Sequence, residues 1–170
     1  NSVINGKLVY ASKVQSGQGT CLGGGAGDGW LCEVVDQGSD STVGQGLYPS
    51  LAFDSANRPR IAYYDGVNHD LRFAQRAAIA GNGNCGEGNW SCYTIDDGGD
   101  TGLYPSLVVS DDMTAVVYYN KTNGYLRLAQ FPGNNSNCGP VVGANKIWRC
   151  DTFASVGASV NFLGISAALD

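Results

Sequence analysis

The hexapeptide Gly-Leu-Tyr-Pro-Ser-Leu occurs twice, at Gly46–Leu51 and Gly102–Leu107, 56 positions apart in a chain of 170 residues. The flanking sequence repeats with it. Tyr48–Arg76 aligns with Tyr104–Phe131 after the loss of one residue in a turn, which sets Leu71 on Leu126. The opening NGKLVYASK, around Leu8, matches NHDLRFAQR and NGYLRLAQF. A Trp-x-Cys triplet follows each time, at Trp30–Cys32, Trp90–Cys92 and Trp148–Cys150, and Ile165–Asp170 matches Pro49–Asp54. Four markers in one order define three copies of a unit spaced by 55 to 63 residues. A unit of that size cannot bury its own faces, so the copies must stack on one another.

Each unit predicts four short strands: a (Ser50–Asp54), b (Arg60–Asp65), c (Leu71–Arg76) and d (Trp30–Asp36 or Trp90–Asp96). These runs are β-branched and aromatic, and Gly, Asn, Asp and Pro separate them. The turn DSANRP suits a hairpin between a and b. Strand a is apolar on both faces, with Leu51 and Phe53 on one and Ala52 on the other, which predicts cover above and below. The stretch RFAQRAAIAG stays strand plus loop, because Pro132 stands in its counterpart. Twenty-five glycines favour turns over long helices.

The expected fold is therefore all-β, and radial stacking of four-stranded antiparallel sheets gives a β-propeller. The pattern resembles the degenerate β-propeller repeats of secreted bacterial proteins. That resemblance implies blades of about 58 residues, laid out as a half blade at 1–43 (strands c and d), blades at 44–100 and 101–157, and the first strand of a further blade at 158–170. The Trp-Asp signature of one propeller family is missing, as is the Ser-x-Asp-x-Gly-x-Thr-Trp box of sialidases. A β-sandwich is the alternative, but it would not need a strict repeat. In the propeller reading GLYPSL starts the innermost strand, and Tyr48 and Tyr104, with their prolines, set the approach from the previous blade.

By the alignment Asn1 corresponds to Tyr64 and Asp170 to Asp54, so the copies lack one a–b turn and one strand b. A ring of three blades is too tight. The expectation is that the chain belongs to something larger. Either it is a segment of a longer array, or other copies complete the interrupted blade, in a six-bladed ring or an open head-to-tail filament.

Six cysteines fall as one local pair per unit: Cys21 with Cys32, Cys85 with Cys92, Cys138 with Cys150. Disulfides stapling each outer hairpin explain the spacing. Zinc would need about four converging ligands, whereas the pairs lie in different blades. Disulfides imply an oxidising compartment, hence secretion or the cell surface. Sequons at Asn89, Asn120 and Asn134 are candidate glycosylation sites that agree with it. A net charge of −5 with scattered basic residues speaks against a nucleic-acid face. No run approaches the ~20 apolar residues of a membrane helix.

Chemistry is sparse. The single histidine, His69, sits in a b–c turn whose counterparts are Gly6 and Gly124, so a Ser-His-Asp arrangement has no support. Asp54 and Asp65 end strands a and b, but their counterparts Ser110 and Asn120 show no demand for an acid pair. Arg72 and Arg127 repeat on strand c and read as packing or blade-to-blade pairing. The d–a loops DQGSDST and DDGGDTG align, with Asp36 four residues before Asp40 in the first and Asp96 four residues before Asp100 in the second. They are candidate calcium ligands. A solvated acidic turn is the competing reading, since the third copy carries Ala154 at the first acid's position. Asn68, His69, Asn123 and Tyr125 are candidate ligand-binding residues suited to glycans. Trp30, Trp90 and Trp148 read as core packing. The whole predicts a non-catalytic extracellular binding or assembly module, completed by other copies or by the rest of a longer chain, in a surface filament or sheath. A lectin-like propeller and a fragment of a propeller glycan-processing enzyme are the alternatives.

Overall fold

The computed structural model describes residues 6–15, 17–21, 29–38, 44–158 and 164–168. Eleven strands run through them: β1 (Leu8–Lys13), β2 (Trp30–Asp36), β3 (Gln45–Phe53), β4 (Pro59–Asp65), β5 (Asp70–Arg76), β6 (Trp90–Asp96), β7 (Thr101–Val109), β8 (Thr114–Asn120), β9 (Tyr125–Phe131), β10 (Cys138–Val142) and β11 (Asn145–Ser155). Among the described residues the helical content is one short turn, Gly86–Gly88. The strands form three antiparallel sheets, β1-β2, β3-β4-β5-β6 and β10-β11-β9-β8-β7. Each sheet is one repeat unit. The chain is all-β, as its sequence predicts.

The units stack face to face. β7 lies against β3, β4 and β5, and β10 lies against β6. One core layer, with Leu8, Val35, Tyr63, Ala74 and Trp90, joins the first unit to the second. Another, with Phe73, Ile95, Leu107, Tyr118 and Trp148, joins the second to the third. The tryptophans point backwards along the stack: Trp90 packs edge-on to Tyr10 at 5.5 Å between ring centroids, and Trp148 sits 5.4 Å from Phe73. Serine hydroxyls on β3 and β7 also accept backbone N–H groups from the chain that follows. Leu107 N donates to Ser50 Oγ at 2.9 Å, and Ala167 N donates to Ser106 Oγ at 2.8 Å.

All six cysteines are paired locally, Cys21–Cys32, Cys85–Cys92 and Cys138–Cys150, which fits folding in an oxidising environment. A side chain reinforces each staple. Asn84, just before Cys85, accepts from Cys92 N at 2.7 Å and donates to Cys92 O at 2.8 Å. Asn137, just before Cys138, does the same to Cys150 at 2.7 and 3.0 Å. Thr20 takes the place in the first unit with longer bonds of 3.3 and 3.5 Å to Cys32.

Strand boundaries differ from expectation in two places. Strand a is longer than the expected Ser50–Asp54: β3 starts at Gln45 and contains the Gly-Leu-Tyr-Pro stretch. The last sheet has five strands, because Cys138–Val142 folds back on Asn145–Trp148 through a turn at Gly143 (φ 64°). The copies of strand a are not equally covered. Leu107 is 6% exposed against the second unit, whereas Leu51 is 49% exposed.

The repeated hexapeptide is a pair of bulges. Gly46 (φ 86°) and Gly102 (φ 95°) cannot carry a side chain: a Cβ would fall 2.6 Å from Leu8 Cβ and 2.5 Å from Leu71 Cα, on the previous unit. Glycine is the residue that permits such contact. Two residues on, register slips again, so Tyr48 and Pro49 stand between the Leu47–Tyr64 and Ser50–Ala62 pairs. Tyr104 and Pro105 repeat the slip. Both tyrosines adopt left-handed backbone, at φ 53° and 52°. That conformation is costly for an aromatic residue, and bulges of this kind re-aim a side chain.

Candidate functional site

The first acids of the two d–a loops, Asp36 and Asp96, face the next unit while also accepting from their own loops at Gly38 N and Gly98 N, both at 3.1 Å. Asp36, at the end of β2, accepts from the Tyr63 hydroxyl at 2.5 Å and lies 3.4 Å from Arg72. Asp96, at the end of β6, accepts from the Tyr118 hydroxyl at 2.6 Å, from Arg127, and from Thr101 Oγ1 at 3.3 Å. Each arginine also lies over its tyrosine ring, at 5.8 Å and 5.9 Å from the centroid. Burial pushes the Tyr63 and Tyr118 hydroxyls well above their ordinary range, so both stay protonated as donors. Two buried acids are therefore compensated across the joints between units, as buried charges must be.

Asp100 goes elsewhere. It accepts from the Tyr64 hydroxyl at 2.8 Å and pairs with Lys121 at 3.2 Å. Asp40 lies outside the described residues. Asp36, Asp96 and Asp100 thus serve separate partner sets, and among the described residues no three His, Cys, Asp or Glu side chains converge on a point. A cation at Asp36 or Asp96 would have to displace a guanidinium. Asp54 and Asp65 lie at opposite ends of β4, about 20 Å apart at ~3.3 Å per residue, and Asp54 is occupied by Arg58 and Arg60.

The Tyr64–Asp100 bond belongs to a second cluster that the sequence did not single out. His69 Nδ1 lies 2.5 Å from the same Tyr64 hydroxyl. The rings of Tyr48 and Tyr104 lie 4.4 Å apart, with Tyr48 also 6.3 Å from Tyr64. Tyr48 is 46% exposed. Burial, then the bond to Asp100, raises the Tyr64 hydroxyl well above its usual range. The result is a tyrosine platform rimmed by an imidazole, a carboxylate and an ammonium group.

Of the remaining predicted ligand residues, only His69 joins this cluster. Asn68 closes its own turn, donating Nδ2 to Asp65 at 2.9 Å. Asn123 N donates to Asn120 Oδ1 at 3.0 Å in the next unit's copy of that turn, and the half-exposed Tyr125 starts β9. Asn120 corrects one sequon. It is fully buried and donates to Gly98 O at 3.1 Å, so the folded chain has no room for a glycan there. Asn134 is exposed and Asn89 half-buried. A cleft of about 540 Å³ opens between the first two units, lined by Asp36, Gln45, Asn68, Arg72 and Glu87.

The tryptophans divide. Trp90 and Trp148 are core residues at 0% exposure, as packing predicts, whereas Trp30 is 44% exposed, with Lys13 Nζ 5.1 Å from its ring centroid. The opposite end shows the same contrast. Val35 (0%) and Ile95 (1%) are buried, but Phe153, which aligns with them, is 57% exposed. The chain matches no family model, no curated protein and no solved structure.

Proposed function

We propose that this chain is a non-catalytic extracellular assembly module, a run of propeller-type blades whose outer faces are covered by further blades. One observation carries the reading: the position that is buried as Val35 and Ile95, where one unit faces the next, is held by Phe153 at 57% exposure on the third unit. An apolar side chain left open where its counterparts are packed between sheets suits association with a further sheet. The propeller arrangement is supported by the four-stranded second sheet and by the serine links between successive inner strands. The three disulfides suit a secreted protein working at a cell surface, in a filament or sheath.

Native particle mass tests this. Mass photometry with negative-stain imaging, under non-reducing conditions, should show rings or filaments at multiples of 17.7 kDa. A lone 17.7 kDa particle across the accessible concentration range overturns the reading.

A second reading, a lectin-like module, is favoured by the tyrosine platform alone. Exposed aromatic faces beside polar hydrogen-bonding groups suit a sugar ring, and strained backbone at Tyr48 and Tyr104 is typical of functional positions. A glycan array should then give hits that Tyr48→Ala abolishes. An array without hits, or hits indifferent to that change, removes it.

A further inference from the structure

The cluster around Tyr64 is not repeated at its counterpart in the third unit, Tyr119. Resting on the lectin-like reading above, we infer that the platform holds a neutral hexopyranose residue, with one sugar face on the Tyr48 ring and two adjacent hydroxyls on Asp100 and Lys121.

Side chains of the cluster stand where other units have glycine. His69 adopts left-handed backbone at φ 63°, and its counterparts are Gly6 and Gly124, at φ 54° and 71°. Tyr48 and Tyr104, at φ 53° and 52°, align with Gly164. The bonds of Leu107 N to Ser50 Oγ and of Ala167 N to Ser106 Oγ fix that alignment. Lys121 aligns with Gly66. The third unit's copy shows that the fold closes without these groups: Tyr119 donates to Gly157 O at 2.7 Å, and Ala158 takes the place of Asp100. Aromatic and imidazole side chains at left-handed positions cost stability, and such strain collects at binding sites. The repeat supplies glycine for these positions, and the second and third units keep the costlier residues where they meet.

The rim selects the ligand. Tyr64 has one hydroxyl proton, which goes to Asp100 Oδ1 at 2.8 Å. His69 Nδ1, 2.5 Å from the same oxygen, therefore donates to it. That leaves Nε2 of the neutral ring as an acceptor, on a side chain more than half exposed. Asp100 Oδ2 and Lys121 Nζ lie 3.2 Å apart, one an acceptor and the other a donor. Neighbouring hydroxyls of a pyranose ring can meet such a pair, one donating to the carboxylate and the next accepting from the ammonium. The two charges offset each other, so a neutral sugar fits better than a uronic acid or an amino sugar. Tyr48, 46% exposed, offers apolar surface to the C–H face of the ring.

Saturation-transfer NMR on the intact chain tests this, with methyl pyranosides of glucose, galactose and mannose as probes and glucuronic acid as the charged control. At least one neutral pyranoside should bind, and glucuronic acid at least about tenfold more weakly. Lys121→Met keeps the apolar stem and removes the donor; His69→Gly installs the residue of the other units. Each should weaken binding about tenfold without lowering the unfolding midpoint. A His69→Gly chain that loses stability and keeps its affinity assigns the cluster to folding and overturns the inference. Binding that Tyr48→Ala abolishes but Lys121→Met leaves intact, or that prefers glucuronic acid, overturns the assignment while the lectin-like reading stands. A glycan array without hits removes both.

Discussion

The two joints inside this chain use one clamp in two settings. At both, an acid ending an edge strand, β2 or β6, receives a tyrosine hydroxyl and an arginine from the next unit, and a tryptophan packs back across the gap. Around that constant centre the chemistry differs. At the first joint Arg72 stands between two acids, Asp36 at 3.4 Å and Asp65 at 3.6 Å, and the rim is an ion pair. At the second joint Asn120 replaces Asp65, Thr101 adds a hydroxyl to Asp96, and the rim is aromatic. The clamp and the tryptophan set how units stack. The rim is where the two joints differ, an ion pair at the first and aromatic packing at the second.

The largest separation should come from the tryptophans. Trp90→Ala and Trp148→Ala should each cost about 3–5 kcal/mol in urea unfolding, whereas Trp30→Ala should cost under about 1 kcal/mol. Equal costs would mean that exposure does not distinguish the outer face from the joints.

Removing the arginines comes next. Arg72→Met strands two buried acids and should cost about 3 kcal/mol, and Arg127→Met, which strands one, about half as much. Identical losses would show that Asp65 draws nothing from Arg72 beyond its own turn bonds, Val67 N at 2.9 Å and Asn68 Nδ2 at 2.9 Å.

A smaller effect separates the rims. Arg76→Leu should cost about 1 kcal/mol at low salt and less in 1 M salt, because half the interaction is a screened ion pair. Phe131→Leu should cost a similar amount that does not change with salt. A salt-independent Arg76→Leu would assign that rim wholly to the contact with Trp90.

The finest test is by pH. Burial, then the charges of Asp65 and Asp97, raises the Asp70 carboxyl from 3.8 to about 6. The folded chain therefore holds that proton more tightly than the unfolded one, and stability is lost as pH rises through this window. Asp70→Asn should stabilise at pH 7 to 8 by about 1 kcal/mol, once solvent screening is allowed for, and the gain should vanish below pH 3.8. The third unit carries Tyr125 at this position, so Tyr125→Phe should show no such pH dependence. A pH-independent gain for Asp70→Asn would remove the titration from the account.

Much of the fold was legible beforehand because its signals are local. Runs of β-branched and aromatic residues, turn residues at their ends and cysteines close together in the chain each depend on a few neighbouring residues. The side-chain roles were less legible because they cross between units. Asp36 and Asp96 look like loop carboxylates in sequence, and only the stacking brings Arg72 and Arg127 to them. The signal was present in one respect: Ala154 and Val9 drop out of the acid and arginine columns together. Tyr48 and Tyr104 gave no such warning. Nothing local reveals that the tyrosine occupies a bulge at positive φ, which brings the two rings together and leaves Tyr48 46% exposed.

The repeat, the all-β class and the pairing of cysteines followed from the amino-acid order alone, since short-range geometry leaves them few alternatives. Which equivalent residue is buried and which is exposed was decided only by the tertiary structure. Trp30, Trp90 and Trp148 stand in the same local sequence, yet Trp90 and Trp148 are buried against Tyr10 and Phe73 of the preceding unit while Trp30 is 44% exposed.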